Sequence, residues 1–321
     1  MSFYKKYILA GKKIPLWFYI RTWGGHLLPR SFWNWRRKYI TRNWEKRKDA
    51  EYIRSRRDVY CRLCSPANIS NDETVSVCDV NERNYQSRYG LDAFRILKYF
   101  PRSGKLLFCD GDVRINPMSP SLIKCRRLNG ENEDNAVIIN LDSIRHWLDP
   151  HDGILFAKKE AKLFFRGDIY DKPARIKFFE QWAEHPLFDL GDTNRHHPSK
   201  WRSEFVSIPD HFRYKFILAL EGYDMASSLQ WIMASNCVPV MPKPTVEGWL
   251  MHSRLIPDIH YIEIEPDFSD VGEKIEYYVN HPAEAEKIAM ESKKWAQQFH
   301  DSKRERLISL LVVEKYLNLV N

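Results

Sequence analysis

No apolar run in this 321-residue chain approaches the roughly 18–20 residues needed to span a bilayer. The longest early candidate, Ile14 to Ile20, is far too short. Lysines near the N-terminus are not followed by an apolar stretch ending in small residues, so no secretory signal is expected. Six cysteines are scattered: Cys61, Cys64, Cys78, Cys109, Cys125 and Cys237. Cys61-x-x-Cys64 could be half a zinc site, but no second pair at metal spacing follows it. Reduced thiols in a cytosolic protein are the expectation, with no metal. Internal repeats and low-complexity tracts are also missing, which argues against a repeat array or a long disordered tail.

What is present suits a folded chain of two ordinary domains or one large one, since 44% of its residues are hydrophobic and 14% aromatic. Its formal charge of +8 is unevenly placed. Residues 1–60 hold 16 Lys and Arg against 4 Asp and Glu, a balance of +12, and the remainder balances to −4. The same segment carries Trp17, Trp23, Trp33, Trp35 and Trp44. Cations mixed with indoles suit an anionic membrane surface, where rings sit among headgroups and cations meet phosphates. Nucleic acid is the rival partner, but no nucleic-acid-binding module is recognisable. The plain alternative is a solvated helix face with some rings packed on the body.

Along the chain, Pro29 opens a long charged helix reaching about Leu63. Short strands are expected at Thr74–Cys78, Lys105–Cys109 and Ala136–Leu141, with a helix over Leu91–Tyr99. The turn-rich Pro150-His151-Asp152-Gly153 reads as a domain boundary. Beyond it, strands at Leu163–Phe165, Phe216–Leu220, Val238–Met241 and Tyr261–Ile264 alternate with helices at Pro173–Glu184, Met225–Ser235 and Val271–Asn280. Asp189–Arg202 reads as a polar loop. Helices over Pro282–Phe299 and Arg304–Leu319 close the chain. Strands alternating with helices predict an α/β protein with parallel sheets, and two such halves predict two Rossmann-like domains facing a cleft. The expected divisions are a basic helical extension at 1–60, an N-terminal domain at 61–155, a C-terminal domain at 156–300, and a final helix at 301–321 packing back on the N-terminal domain.

The most informative stretch runs from Lys162 to Pro242. It holds Phe164-Phe165-Arg166-Gly167-Asp168, then Arg213 to Trp231 (RYKFILALEGYDMASSLQW), then Val238-Pro239-Val240-Met241-Pro242. Turns bearing Arg, Gly and Ser at the carboxyl ends of parallel strands are where α/β proteins hold phosphorylated ligands. Followed by Trp249-Leu250, His260-Tyr261 and Phe268-Ser269-Asp270, this series resembles glycosyltransferase family 90. The family includes eukaryotic protein O-glucosyltransferases and a bacterial branch associated with lipopolysaccharide core biosynthesis, to which the details here are closer. The resemblance is strongest over about 160–300 and weaker over 60–155. It implies the GT-B architecture, a metal-independent reaction, a nucleotide-sugar donor in the C-terminal domain and an acceptor site in the N-terminal one.

Glycosyl transfer requires that the acceptor hydroxyl lose a proton and that the departing diphosphate have its growing charge compensated. Arg166 and Arg175 lead the phosphate candidates, because a guanidinium stays charged and bonds in two places. The resemblance places a second Arg a short spacer after Arg-Gly167, here one residue later than in the eukaryotic members. Where the family often has Ser, this chain has Asp168, which would repel phosphate and is expected to point elsewhere. The alternative for Arg166 is an ion pair at a strand end. Glu221 reads as a ribose contact or a helix cap, and Gly222 as a point of close backbone approach. Ala226, Ser227 and Ser228 would open a helix whose free N–H groups favour an anion. Leu229 stands where eukaryotic members have Arg. Lys215 and Lys243 are weaker phosphate candidates. Asp112, after the strand 106–109, matches the family's base position, with Asp110 as fallback and a turn-forming Asp as the plain reading. His211, His260 and Trp249 are weak acceptor or ribose contacts, with structural roles as their alternatives.

Asp110-Gly111-Asp112 also admits a metal-using Asp-x-Asp transferase and a haloacid-dehalogenase-type phosphatase, though the latter's other motifs are not found in order. The resemblance implies an inverting hexosyl transfer from a UDP-sugar, without cofactor, to a sugar hydroxyl of the lipopolysaccharide core. The enzyme would be cytoplasmic and peripheral on the inner membrane, held by residues 1–60 to anionic lipid. Other readings are a capsule or protein O-glycosyltransferase, and a non-enzymatic membrane-associated protein.

Overall fold

The computed structural model describes residues 24–69, 74–80, 88–141 and 151–320. Trp17, Trp23, the Ile14–Ile20 run and Pro150 lie outside the described residues. The chain divides into two compact units. The described part of the first comprises 24–69, 74–80, 88–141, 245–252 and 301–320, and that of the second 151–244 and 253–300.

In the first unit, α1 (Arg30–Thr41) begins after Pro29, whose fixed φ suits a helix entry. The single helix expected to run on to Leu63 is interrupted. Asn43 takes a left-handed conformation (φ 57°), a 3-10 turn covers Trp44–Lys46, and α2 (Ala50–Tyr60) follows. Asn tolerates that conformation better than most residues, so it marks the break. Strand β1 (Val75–Ser76), helix α3 (Arg88–Leu97) and strand β2 (Lys105–Leu106) come next, with β1 antiparallel to β2. Strands β3 (Ser121–Ile123), β4 (Arg126–Arg127) and β5 (Ala136–Ile138) follow, with β3 parallel to β5. Among the described residues, the strands of this unit form two-stranded ladders.

The second unit carries the chief sheet. Its elements are β6 (Glu160–Gly167), α4 (Pro173–Trp182), β7 (Phe188–Asp192), α5 (Ile208–His211), β8 (Tyr214–Leu218), α6 (Leu229–Met233) and β9 (Val238–Pro242). The chain then visits the first unit as β10 (Val246–Glu247), antiparallel to β4. It returns as β11 (Ile262–Ile264), α7 (Val271–Asn280) and α8 (Pro282–Gln297). All pairings in the five-stranded sheet are parallel, in the order β11-β9-β8-β6-β7. Buried Leu163, Phe165, Phe178, Phe216, Val240 and Ile275 are part of its core.

That order matters for function. From β6 the chain moves to one side to form β7, then crosses to the other side for β8, β9 and β11. The progression reverses between β6 and β8. At such a reversal the connections leave in opposite directions, opening a crevice beyond the carboxyl ends of the two strands. The expected loop at 189–202 is partly wrong, since its first residues belong to the edge strand β7.

The last helix, α9 (Ser302–Val320), belongs to the first unit. Leu307, Ile308, Leu310, Leu311, Val312 and Val313 are all buried, so it is an interior helix rather than a surface one. Glu305 on α9 is ion-paired with fully buried Arg56 of α2 (Nη2–Oε2 2.8 Å) and accepts the Trp249 indole N–H at 2.7 Å.

Candidate active site

Arg175, in the first turns of α4, bridges the reversal point of the sheet. Its Nη1 donates to the carbonyl of Asp168, just past β6, at 2.8 Å. Its Nη2 donates to the carbonyl of Leu220, just past β8, at 2.7 Å. The guanidinium lies over the Phe165 ring, 5.6 Å from its centroid, and Nε is buried without an acceptor. Desolvation pulls its pKa down to about 10, only partly offset by Asp168. It remains a cation at neutral pH, held by neutral carbonyls and, among the described residues, in no carboxylate salt bridge.

Gly222 faces this group. A Cβ there would stand 3.4 Å from Arg175 Nη2 and 3.6 Å from the Lys172 methylenes. Lys172, which the sequence reading did not single out, donates to Asp168 Oδ2 at 2.7 Å and sits 5.1 Å from the Tyr223 ring centroid. Asn194 donates its amide to Asp168 Oδ1 at 2.8 Å, and the Tyr170 N–H reaches the same oxygen at 3.0 Å. Burial works to raise the Asp168 pKa, but Lys172, Asn194 and the Tyr170 N–H outweigh it and hold the group below the usual range. The carboxylate that looked hostile to a phosphate is therefore occupied, tying together the loops after β6 and β7. Beside them the Tyr170 and His197 rings stack at 3.4 Å. The signal for Lys172 was its place four residues after Asp168 and directly before Pro173, a helix-entry position.

Arg166 lies apart from this group. In a strand, neighbouring residues point to opposite faces. Phe165 lies under Arg175, whereas Arg166 shares the face of Phe164, with its guanidinium 4.5 Å from that ring centroid. It is ion-paired with Asp189 of β7 at 2.5 Å, and Tyr214 donates to the same carboxylate at 2.8 Å. This is the strand-end ion pair. Gly191 leaves room for it, since a Cβ there would meet Arg166 Cδ at 2.9 Å.

The helix expected from Met225 begins only at Leu229 and has five residues, leaving Ala226 buried, Ser227 exposed and Ser228 at its N-cap without a side-chain capping bond. Leu229 is buried and packs in the core. Lys215 is half-buried with its ammonium 5.2 Å from the Phe156 ring centroid, Glu221 is half-buried and Lys243 is exposed. His211 is buried between Phe164 and Trp231, and its Nδ1–H donates to the Ser207 carbonyl at 2.8 Å. Burial pushes its pKa down to about 4. His260 accepts the Ile256 N–H at Nδ1 (2.9 Å) beside Trp295, and burial lowers its pKa too. Both imidazoles are built into the packing.

In the first unit, Asp112 has a side chain 45% exposed and pairs at 2.8 Å with the Lys124 ammonium, whose side chain is only 4% exposed. Tyr89 donates to the same carboxylate oxygen at 3.3 Å. A near-buried ammonium needs a counter-ion, which Asp112 supplies. Asp110 is exposed, and Gly111 between them takes φ 105°, a conformation that suits glycine. Trp249 is buried and stacked on Tyr60 at 4.1 Å, so its ring faces protein.

Comparison with known proteins gives the family. The family model for glycosyl transferase family 90 matches residues 137–319. O-glucosyltransferase LpsA of Dichelobacter nodosus is 37% identical over 239 residues, which is 74% of each chain. Protein O-glucosyltransferase 2 of Danio rerio is 29% identical over 153 residues, 46% of this chain and 30% of that protein. Protein O-glucosyltransferase 3 of Homo sapiens is 25% identical over 171 residues, 51% of this chain and 33% of that protein. The match to a family model over more than half its length, together with the LpsA alignment, shows that this chain belongs to glycosyl transferase family 90 and is a glycosyltransferase.

Proposed function

We propose that the enzyme transfers a hexose from a UDP-sugar to a sugar hydroxyl of a lipopolysaccharide or lipooligosaccharide core, with inversion at the anomeric carbon. The observation that carries this reading is Arg175, a guanidinium held by the carbonyls of Asp168 and Leu220 at the sheet's reversal point. As the sugar–oxygen bond breaks, the leaving diphosphate gains negative charge, and a fixed cation beside it lowers that barrier. Gly222 keeps side-chain bulk away from this group, while the Lys172 charge is matched by Asp168.

Asp112 is the proposed base, with Asp110 as fallback. Its carboxylate takes the acceptor proton while the acceptor oxygen attacks the anomeric carbon in line and UDP departs. In this reading the two units act as the donor and acceptor halves of a GT-B enzyme. The hexose is suggested by the relative O-glucosyltransferase LpsA, named for O-glucosyl transfer, and the core acceptor is part of the same proposal. Work at the cytoplasmic face of the inner membrane, as a peripheral protein on anionic lipid, belongs to the same reading. The residues 24–48 support it, with eight Lys and Arg and one acidic residue, Glu45.

The test is turnover of UDP-glucose, UDP-galactose and UDP-N-acetylglucosamine by purified protein, with and without EDTA. The expected result is EDTA-resistant turnover of one donor, lost in Asp112→Asn with donor binding retained. Turnover that needs added Mn would overturn the metal-independent mechanism in favour of an Asp-x-Asp site. Failure to bind any nucleotide sugar would overturn the donor assignment.

A further inference from the structure

Helix α1 is turned partly inside out. Its sequence, RSFWNWRRKYIT, has four cations and no acidic residue. Two of those cations point inward. Arg30 Nη1 donates to the carbonyl of Phe100 at 3.0 Å, and Arg37 is ion-paired with Glu314 and stacks 4.8 Å from the Phe100 ring centroid. Trp33 is on the same inner side, donating its indole N–H to the Gly25 carbonyl at 3.0 Å and meeting Tyr99 edge-on at 5.0 Å. The outer side carries Ser31, Trp35, Lys38, Tyr39 and, just past the helix, Arg42, all exposed. These positions recur at three- and four-residue intervals and so share one face. Trp35 is 60% exposed and Tyr39 67%, with their rings stacked at 6.1 Å. Leu27, before the helix, is 86% exposed.

Water is a poor solvent for that surface. Two stacked aromatic rings and a leucine stand out while two guanidinium groups are turned in. The arrangement suits an interface that is apolar a few ångströms deep and anionic at its rim. There Trp and Tyr lie at headgroup level, while Lys and Arg reach the phosphates. Exposed Lys46 and Lys48 continue the positive charge beyond Arg42, and the neighbouring Asp49 carboxylate is bound by Arg47 at 2.8 Å.

We propose that the outer face of α1 is the docking surface for an anionic lipid bilayer, with Leu27, Trp35 and Tyr39 entering the headgroup layer and Lys38 and Arg42 contacting lipid phosphate. The proposal rests on the peripheral-membrane part of the function above and assigns it to these side chains rather than to the residues before Gly24. Docking is additive: rings supply depth, cations supply attraction that fades with salt.

Flotation of the full chain with phosphatidylcholine vesicles, and with vesicles containing phosphatidylglycerol, tests it at low and high salt. The wild type floats with the anionic vesicles only, and less at high salt. Lys38→Glu lowers partitioning on the order of tenfold. Trp35→Ser combined with Tyr39→Ser also lowers it, whereas Trp35→Phe with Tyr39→Phe restores most of it. Thermal melts of all variants stay near wild type, because these side chains are exposed. Variants that bind like wild type would overturn the proposal and move docking to the residues before Gly24. Salt-sensitive binding to duplex RNA without vesicle binding would overturn it too, as would equal binding to neutral and anionic vesicles. Donor binding, measured separately by calorimetry, is unchanged in every α1 variant, so loss of docking and loss of the UDP-sugar reading are told apart.

Discussion

Arg166 and Arg175 show what side-chain direction does to two similar residues. Both were readable from the sequence as phosphate candidates, nine positions apart. Their sorting needed the pleat: Arg166 follows Phe164 onto one face and is matched by Asp189, while Arg175 comes off α4 above Phe165. Arg175→Ala is expected to weaken UDP-sugar binding by about 1.5–3 kcal/mol, roughly 10- to 150-fold, as the loss of a charge-assisted contact. Arg166→Ala is expected to lower stability, since it strands Asp189 at the strand edge, and to change donor affinity far less; urea melts and calorimetry on the same preparations separate the two. His211 gives a pH signature. Burial holds its folded-state pKa at about 4, below the ordinary 6.5, so the unfolded chain takes the proton first. Its contribution is complete above about pH 6.5 and shrinks by about 3 kcal/mol as the pH falls toward about 4. Replacing His211 by Leu should flatten that limb of the stability–pH curve, at a cost of about 1 kcal/mol for the lost Ser207 bond.

Elements were legible where periodicity was strong and local. Helices α4, α7, α8 and α9 and strands β6, β8, β9 and β11 all fall where alternation and turn residues put them. Strand β7, Phe188–Asp192, escaped because Asp189, Gly191 and Asp192 read as loop. Its strand character comes from pairing with β6, a tertiary effect that overrides local preference. The break at Asn43 escaped for the opposite reason: the apolar spacing runs on, and one left-handed residue ends the helix. Helix α6 shrank because Ala226 and Ser227 precede it in a turn. Packing at this scale is tight enough to test. A Cβ at Gly272 in α7 would meet the Trp182 ring at 2.8 Å, so Gly272→Ala is expected to cost about 1–3 kcal/mol by overpacking. In α9, Leu310 is fully buried, and Leu310→Ala is expected to cost about 2–5 kcal/mol in denaturant melts.

At the scale of the whole molecule, the chain interleaves its two units: β10 and α9 return to the first after the second has begun. Linear divisions at 60, 155 and 300 could not express that, because hydrophobic patterns report neighbours in sequence and not returns in space. The interleaving has an energetic anchor in the first unit, where α9 brings Glu305 to Arg56 and Trp249. Glu305→Ala leaves a buried guanidinium without its counter-ion and is expected to cost about 3–5 kcal/mol, read from the midpoint of unfolding. The family's chemistry was legible in order and spacing, since the ordered turns around 166–175 and 221–228 point to the sheet's carboxyl edge. The sheet order, which the sequence did not reveal, puts those turns at the reversal point, where α/β sheets commonly hold ligands. The most direct test is one titration, UDP-sugar into wild type and Arg175→Ala by calorimetry. Saturable binding by the wild type, weakened at least about tenfold in the variant with its melt preserved, is the predicted result. Equal affinity of the two proteins would contradict it and remove the diphosphate from the reversal point of the sheet.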